Sequence, residues 1–233
     1  MTDLIKCFHE KLYILFMASQ TIENYMKALF NLSDASDKVN VTDLAKSMDV
    51  SLPTVNSMVK KLASMGLVKY EKYKPLEITD LGKKEAALII RKHRLIEMFL
   101  VEKMGIGWDE VHDIAEHIEH LKSPLFFERV DELLGYPTHD PHGSPIPDKH
   151  GHIEIQKLKK LSECKSGDLV TLKALANTSE EFLKYLTQKE LSLGTDIEVL
   201  EVESFDNSMT IKYSDHHKEI MSEKVCEKLL VRD

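Results

Sequence analysis

The 233-residue chain has little cysteine, and the few cysteines present are poorly placed for shared chemistry. Cys7, Cys164 and Cys226 are odd in number, far apart and never in Cys-x-x-Cys spacing. This pattern argues against a disulfide framework and against a zinc site built from thiolates. It fits a protein of the reducing cytoplasm, and we predict a cytoplasmic localisation.

The chain also lacks a long apolar run. No stretch is long enough to cross a bilayer, so we predict no membrane partner. The apolar patch from Leu12 to Ala18 follows acidic residues and lacks the basic segment that opens a signal peptide. Residues 1–20 are therefore predicted to be an N-terminal extension, either an additional helix or sequence upstream of a true start at Met17.

Positive charge is scarce in total but concentrated in one region. The net charge is −8, yet the segment from Lys38 to Arg94 holds twelve lysines and arginines against six acids, so it carries +6 and the remainder −14. A basic block in an acidic protein is expected for a surface that binds a polyanion such as DNA. On charge alone, a solvated lysine face is the alternative.

The basic block has the pattern of a winged helix-turn-helix. Residues 22–32 have helical spacing, residues 41–48 predict a short helix, and "LPTVNSMVKKLASMG" predicts a longer one with Pro53 in its first turn. The alternating segment that follows breaks at Lys74-Pro75 and predicts a small hairpin. A short helix, a tight turn, a longer helix and a basic hairpin together predict this DNA-binding unit.

The rest of the chain predicts an α+β, multidomain fold. A long helix from Asp80 to Met104 is followed by two shorter ones at 108–121 and 124–134. "GYPTHDPHGSPIPDKHG" is rich in proline and glycine and predicts a connector. Then "GDLVTLKAL", "TDIEVLEVE" and "SMTIKYS" predict strands around one short helix, a composition typical of a small β-barrel.

Histidine and glutamate cluster on two of the predicted helices. In "VHDIAEHIEH" the apolar residues fall on one arc. The opposite arc carries four potential ligands: His112, Glu116, Glu119 and His120. On the preceding helix, His93 and Glu97 are four residues apart and share a face. Two such faces predict divalent-cation binding, with imidazole and oxygen ligands that suit Mn(II) or Fe(II); solvated surface residues are the alternative.

These motifs resemble those of a known family. "TIENYMKALFNL", "VSLPTVNSMVKKLASMGLV", "ITDLGKK", "RKHRLIEMFL", "VHDIAEHIEH" and "HDPHGSPIP" occur in the order and spacing of the diphtheria-toxin-repressor family of metal-dependent bacterial regulators. The resemblance covers Thr21 to Asp233. It implies a winged helix DNA-binding domain at 21–82, an all-α dimerisation and metal-binding domain at 83–136, a Pro/Gly/His linker at 137–155 and an SH3-like (FeoA-like) β-barrel at 156–233.

The resemblance also implies two metal ions per subunit. The ligands of one would be His93, Glu97 and His112, and those of the other Glu116, Glu119, His120 and Asn24. Family members often have Met or Asp where this chain has Asn24. Glutamate at position 116 is typical of manganese-responsive members, whereas iron-responsive members tend to have cysteine there, and this favours Mn(II). Iron-type members add a Glu and a Gln from the barrel, where this chain has Ala174 and Asn177.

Two further sets of histidines are expected not to bind metal. His117 points away from the ligand stripe. The resemblance implies that the "PHG" segment is a structural linker, which covers the histidines His139, His142, His150 and His152.

The helix from Pro53 to Met65 would lie in the major groove of DNA. Its N-terminal end carries short polar side chains and no arginine for bidentate contact with guanine, so shape and fit to thymine methyl groups would contribute to specificity. Lysines of the helix and hairpin would contact phosphates. The predicted DNA-binding residues are Ser51, Pro53, Thr54, Asn56, Ser57, Lys60, Lys69, Lys72 and Lys74.

We therefore predict a metal-dependent repressor, not an enzyme, that senses Mn(II) or Fe(II), binds palindromic operator DNA as a homodimer and controls metal-uptake genes. Alternatives remain open at this point. A metallohydrolase could use the His/Glu cluster, although the sequence has neither a nucleophile motif nor HExxH. A winged-helix regulator could sense an organic ligand or redox state, and the barrel could bind a proline-rich peptide.

Overall fold

The computed structural model describes residues 20–33, 37–154 and 156–233. The N-terminal extension, with Cys7 and the alternative start at Met17, lies outside these residues except for Gln20. Within the described residues, no helix combines the length and the apolar character needed to cross a membrane. The chain divides into two compact units. One contains the described residues up to Lys92 together with 119–122 and 147–153, and the other contains 93–118, 123–146 and the described part of 154–233.

The first unit is a winged helix. Its helices are α1 (Gln20–Leu32), α2 (Val41–Ser47), α3 (Leu52–Ser64) and the first part of α4 (Asp80–Met104). Its strands are β1 (Lys38–Val39), β2 (Val68–Lys69) and β3 (Leu76–Ile78), which pair antiparallel in the order β1-β3-β2. The hairpin of β2 and β3 is the wing that the Lys74-Pro75 break predicted.

Apolar spacing decides which face of α3 is buried. Val55, Val59 and Leu62 recur every three to four residues and are fully buried in the core of this unit. Ser51 caps the helix, because its hydroxyl accepts a hydrogen bond from the backbone N–H of Thr54 at 3.4 Å. The polar residues of the first turn are thereby left on the exposed side.

The helical part of the second unit has its own core. It comprises α4 from His93 onward, α5 (Val111–Ile118) and α6 (Pro124–Leu133). The core is formed by Ile96, Leu100, Val111, Ala115 and Phe127. The helix predicted at 108–121 is shorter in the structure: it begins at Val111 and ends at Ile118, and a turn follows. The prediction that four ligands share one helical stripe is therefore wrong: two lie on α5 and two follow it.

The C-terminal part of the second unit is a six-stranded antiparallel sheet in the order β4-β9-β5-β6-β7-β8. Its strands are β4 (Lys159–Lys160), β5 (Leu169–Leu175), β6 (Asp196–Val202), β7 (Met209–Tyr213), β8 (His216–Met221) and β9 (Leu229–Arg232). Its helices are α7 (Glu180–Gln188) and α8 (Glu223–Cys226), with a 3₁₀ turn at Leu161–Glu163. Strand β8 was not predicted, because it is mostly polar and only Met221 is buried.

The two described cysteines are structural. Cys164 and Cys226 are free and buried in the core of the C-terminal sheet. Burial raises the pKa of the Cys226 thiol to about 12, which keeps it protonated at neutral pH. Neither residue therefore has the thiolate character that metal binding requires.

The connector before the sheet is ordered by short-range hydrogen bonds. Asp140 Oδ1 accepts from the backbone N–H groups of His142 and Ser144, both at 2.9 Å. The backbone N–H of Leu175 on β5 donates to the carbonyl of His142 at 3.0 Å. Gly143 has φ +86°, and its Cα faces the backbone of Lys173 and Ala174. This turn is thus held against β5.

Gly143 should tolerate no side chain. A Cβ there would lie 2.2 Å from the carbonyl oxygen of Lys173 and 2.5 Å from the Cα of Ala174. We expect Gly143→Ala to lower the free energy of unfolding by about 2–4 kcal/mol. Gly194→Ala is the matched control, because Gly194 also has φ +86° but open space for a Cβ; it should cost only about 1 kcal/mol. Equal losses in a denaturant titration would contradict this account.

Candidate metal centre and nucleic-acid surface

Three predicted ligand atoms meet between α4 and α5. His93 Nε2 lies 3.0 Å from Glu97 Oε1 and 3.2 Å from His112 Nδ1, and His112 Nδ1 lies 3.4 Å from the same Glu97 oxygen. Glu116 Oε2 lies 3.8 Å from His93 Nδ1. The structure thus brings Glu116 beside His93 and His112, whereas the resemblance grouped it with Glu119 and His120.

The spacing of this triangle fits a divalent cation. Ligand atoms bonded to one ion at about 2.0–2.2 Å lie about 3 Å or slightly more from one another. The triangle contains two imidazole nitrogens and one carboxylate oxygen, a thiolate-free set that suits Mn(II), Fe(II) or Zn(II). Glu97 and His93 are buried, while His112 is more than half exposed, so the triangle has one side open to solvent.

The electrostatics of Glu97 keep it ionised. Burial alone would raise the pKa of its carboxyl group, but hydrogen bonds with His112 and His93 and the nearby His93 and His142 rings outweigh burial and lower the pKa. The carboxylate is therefore available as a ligand at neutral pH. Metal binding needs this deprotonated form.

Two connector residues lie beside Glu97: Asp140, which no sequence pattern indicated, and His142, which was predicted to be structural rather than a ligand. Asp140, His142 and Glu97 are all buried and offer ligand atoms within 4.8 Å of one another. His142 Nε2 lies 2.9 Å from the carbonyl oxygen of Trp108. Because a carbonyl can only accept, Nε2 carries a proton, so a neutral His142 has its lone pair on Nδ1, which lies 3.9 Å from Glu97 Oε2. Two acceptors that face each other in this way fit a shared cation.

Burial and neighbouring charges act on the pKa of the Asp140 carboxyl group in opposite directions. Burial raises the pKa of its carboxyl group, repulsion from Glu97 raises it further, and the Arg94 guanidinium opposes the shift. Arg94 Nε lies 3.4 Å from Asp140 Oδ2. Because its Oδ1 is already occupied by two backbone N–H groups, Asp140 has mainly Oδ2 to offer to a cation.

The barrel positions do not add ligands. Ala174 has no donor atom and packs beneath the turn of Gly143. Asn177 Oδ1 accepts from the backbone N–H and the hydroxyl of Ser179 at 3.2 and 2.8 Å, ahead of α7. Asn177 therefore shapes a turn in this chain.

The remaining predicted ligands form a second cluster within the first unit. His120 Nδ1 lies 2.6 Å from Glu23 Oε2, and His120 Nε2 lies 3.7 Å from Glu119 Oε1. Lys27 Nζ donates to both Glu119 oxygens, at 2.9 and 3.0 Å. Glu119 is completely buried. Lys27 was not among the functional residues predicted from the sequence, because its partner Glu119 lies 92 residues further along the chain.

Two buried atoms of this second cluster region lack partners. His120 Nε2 and Asn24 Oδ1 make no hydrogen bond among the described residues. Because Glu23 accepts the Nδ1–H of His120, the Nε2 lone pair is free to bind a cation. A buried acceptor without a donor is costly, and a cation would relieve that cost. By contrast, His117 is exposed and its Nδ1 lies 2.6 Å from the carbonyl of Asp113.

The predicted DNA-binding residues are mostly at the surface of the winged helix, and four of them line one groove. All of them are exposed except Asn56, which is half-buried. A groove of about 510 Å³ is lined by α2, α3 and the wing, and it includes Asn56, Lys60, Lys72 and Lys74. Ser51 and Thr54 hydroxyls bond each other at 2.9 Å.

The lysines of this surface differ in their partners. Lys69 pairs with Glu77 and Lys74 with Glu71, but all four side chains are exposed, so these pairs contribute little to stability. Lys72 Nζ lies 4.7 Å above the ring of Tyr73. Tyr73 is 91% exposed at the tip of the wing, and the sequence analysis did not select it.

The comparisons with known proteins decide the family. “Iron dependent repressor, N-terminal DNA binding domain” matches residues 17–76, “Iron dependent repressor, metal binding and dimerisation domain” matches residues 79–148, and the FeoA domain matches residues 159–233. A solved structure of a manganese-dependent transcriptional repressor in complex with manganese has 31% identity and a TM-score of 0.81, and the match covers 90% of this chain and 98% of that one. The chain belongs to the diphtheria toxin repressor family.

Curated relatives agree with this membership. The diphtheria toxin repressor of Corynebacterium glutamicum is 27% identical over 191 residues, 77% of this chain and 83% of that protein. The iron-dependent repressor IdeR of Mycobacterium tuberculosis is 35% identical over 135 residues, 58% of this chain. In that alignment the chain spans 57% of the length of IdeR.

Membership in the diphtheria toxin repressor family confirms the predicted fold class and the predicted class of protein. The fold class is α+β, with a winged helix, a helical metal-binding and dimerisation domain and an SH3-like FeoA domain. The class of protein is a DNA-binding transcriptional regulator rather than an enzyme. The metallohydrolase and the regulator of non-metal signals are thereby disfavoured, since relatives are named for their metal dependence.

His142 should matter for metal binding although it lies in the connector. We expect His142→Gln to weaken Mn(II) binding at the Glu97 site about tenfold or more, because it removes a buried nitrogen beside Glu97. His152→Gln is the matched control, since His152 is exposed and paired with Asp148. Calorimetric titration of both variants measures the difference. Unchanged affinity in His142→Gln would show that the Glu97 site is complete without the connector.

Proposed function

We propose that this chain is a Mn(II)-dependent repressor that binds palindromic operator DNA as a homodimer and controls metal-uptake genes in the cytoplasm. Fe(II) is the alternative cognate ion. The observation that carries this proposal is the triangle of His93, Glu97 and His112, whose three ligand atoms lie 3.0–3.4 Å apart. The triangle belongs to the same chain as a winged helix with an exposed basic face.

Two ions per subunit are proposed. The first would be held by His93, Glu97 and His112, with Glu116, Asp140 and His142 close enough to contribute. The second would be held by Glu119, His120 and Asn24, with Glu23 orienting the imidazole. A bound divalent cation supplies the positive charge that the converging carboxylates lack, and it thereby stabilises the arrangement of helices that carry them.

Mn(II) is proposed as the cognate ion on chemical grounds. The ligands are oxygens and imidazoles without a thiolate, and Glu116 stands where manganese-responsive members of the family have glutamate. By the Irving–Williams order the same sites would bind Zn(II) or Cu(II) more tightly. Selectivity would then depend on geometry and on which metal is available in the cell. Among relatives, one is described as iron-dependent and another as manganese-dependent.

A second copy of this chain is the proposed partner of the helical part of the second unit. Leu125 and Leu133 on α6 are 60% and 57% exposed, and their spacing of eight residues places them on one broad face of the helix, about 80° apart. Such apolar residues are expected at an interface between subunits. Two winged helices held about one DNA turn apart would read the two halves of a palindrome.

On DNA, α3 would enter the major groove. The hydroxyl and amide side chains of its first turns would approach bases, and Lys60, Lys69, Lys72 and Lys74 would contact phosphates. Metal binding to residues of both α1 and the turn after α5 would couple the two functions. A coupling free energy of about 1–3 kcal/mol is sufficient for a switch, and DNA would then tighten metal binding by the same factor.

DNA binding should require the first metal site. We expect a gel shift with operator fragments in Mn(II) that is lost in chelator, and a Glu97→Gln variant that needs at least about tenfold more Mn(II) because it loses a charged ligand. Glu102→Gln is the matched control on the same helix, since Glu102 is exposed. Parallel lanes with Fe(II) and Zn(II) rank the metals. Equal DNA affinity with Mn(II) and with chelator would overturn the proposed function.

The lysines that face the groove should set the salt dependence of binding. We expect Lys60→Ala to weaken binding across DNA sequences and to reduce the slope of log affinity against log salt by about 1, since one phosphate contact is lost. Lys61→Ala is the control on the same helix, because Lys61 is exposed but does not line the groove. Fluorescence anisotropy at several salt concentrations measures both slopes. Identical slopes would place the phosphate contact elsewhere.

A further inference from the structure

The second cluster already contains a cation of its own. The ammonium of Lys27 bonds both oxygens of Glu119, at 2.9 and 3.0 Å, and the Lys27 side chain is only 13% exposed while that of Glu119 is fully buried. These two oxygens are the ones that Glu119 would offer to a metal ion. Lys27 and a metal ion would therefore compete for the same two oxygen atoms of Glu119.

The neighbouring side chain, His120, has a ring nitrogen that could bind a metal ion and that Lys27 does not hydrogen-bond. The His120 side chain is nine-tenths buried, its Nδ1 lies 2.6 Å from Glu23 Oε2, and its Nε2 has no hydrogen-bond partner among the described residues. A lysine ammonium can only donate hydrogen bonds. Lys27 donates to Glu119, and His120 Nε2 receives no hydrogen bond from it. In this cluster, Glu119 is therefore paired with the Lys27 ammonium, whereas the Nε2 lone pair of His120 is available to a metal ion.

We propose that Lys27 is an internal competitor of the divalent cation at Glu119, and that it sets the metal concentration at which the second site fills. This inference rests on the proposed function, because it requires the second site. A metal ion that binds Glu119 and His120 must displace the ammonium from at least one Glu119 oxygen. The metal ion is also repelled by the positive charge of the nearby Lys27 ammonium. Both effects weaken metal binding at this site.

The same ion pair has a role without metal. Glu119 is completely buried, and a buried carboxylate without a counter-charge is strongly destabilising. Lys27 supplies that counter-charge, so the metal-free protein keeps α1 tied to the turn after α5. Removal of the lysine should therefore act in opposite directions on the metal-free and the metal-bound protein. This reversal of sign separates a competitor from a lysine that merely stabilises the fold.

The test compares Lys27→Met with the full-length wild type. We expect Lys27→Met to tighten the weaker Mn(II) binding step about tenfold or more, since a charge-assisted competitor is removed. Its metal-free form should melt at a lower temperature and gain more from Mn(II) than the wild type does. Lys27→Arg keeps the charge and should stay near wild type. Lys46→Met changes the net charge equally at an exposed position of the same unit and should also stay near wild type.

The assignment to Glu119 follows from a double-mutant cycle. The gain from Lys27→Met should vanish when Glu119→Gln is also present, because the contested oxygens are then gone. Equilibrium dialysis with metal analysis gives the number of ions and their affinities. If Lys27→Met fails to fold, Lys27→Gln provides the same measurement with a polar side chain.

The possible results separate the two proposals. Two ions per subunit with an unchanged or weaker second step in Lys27→Met and Lys27→Gln would overturn the competitor role alone. A gain that persists in the Glu119→Gln background would overturn it as well. No Mn(II) bound by the wild type or by any variant would overturn the proposed function itself.

Discussion

Two buried carboxylates, Glu97 and Glu119, impose the main constraint on this molecule. A carboxylate held away from water needs positive charge or N–H donors close by. Glu97 obtains them from His93 and His112, and Glu119 obtains them from Lys27. Any cation that binds must join or replace these partners. Metal affinity and the stability of the metal-free protein are therefore governed by the same few side chains.

Periodic features could be predicted from the sequence, and contacts between distant segments could not. The long helix was predicted with the bounds that α4 has, Asp80 to Met104, and α3 was predicted with Pro53 in its first turn. His93 and Glu97 were found because they are four residues apart on one helix. Asp140 and His142 lie in a connector without periodicity. Lys27 and Glu119 are separated by 92 residues, and no local pattern relates them.

The nucleic-acid surface and the metal ligands follow different physical rules. The ligands are mostly buried and fixed by hydrogen bonds, so that few of them can move without cost. The groove lysines are exposed, and two of them form weak ion pairs with neighbouring acids. Substitution of an exposed lysine is therefore expected to disturb few other residues, whereas substitution of a buried ligand also removes a hydrogen-bond partner of its neighbours.

The first unit is assembled from three separate stretches of chain. Residues 119–122 and 147–153 complete a winged helix that otherwise ends at Lys92. The guanidinium of Arg91 donates to the carbonyl of Pro147 at 2.6 Å, and Lys27 reaches Glu119. During synthesis, the first unit cannot form all of its contacts until residue 153 has left the ribosome. Formation of the complete first unit thus requires synthesis of the residues that separate these stretches in the sequence, and a fragment that ends at Lys92 would lack residues 119–122 and 147–153 of its own unit.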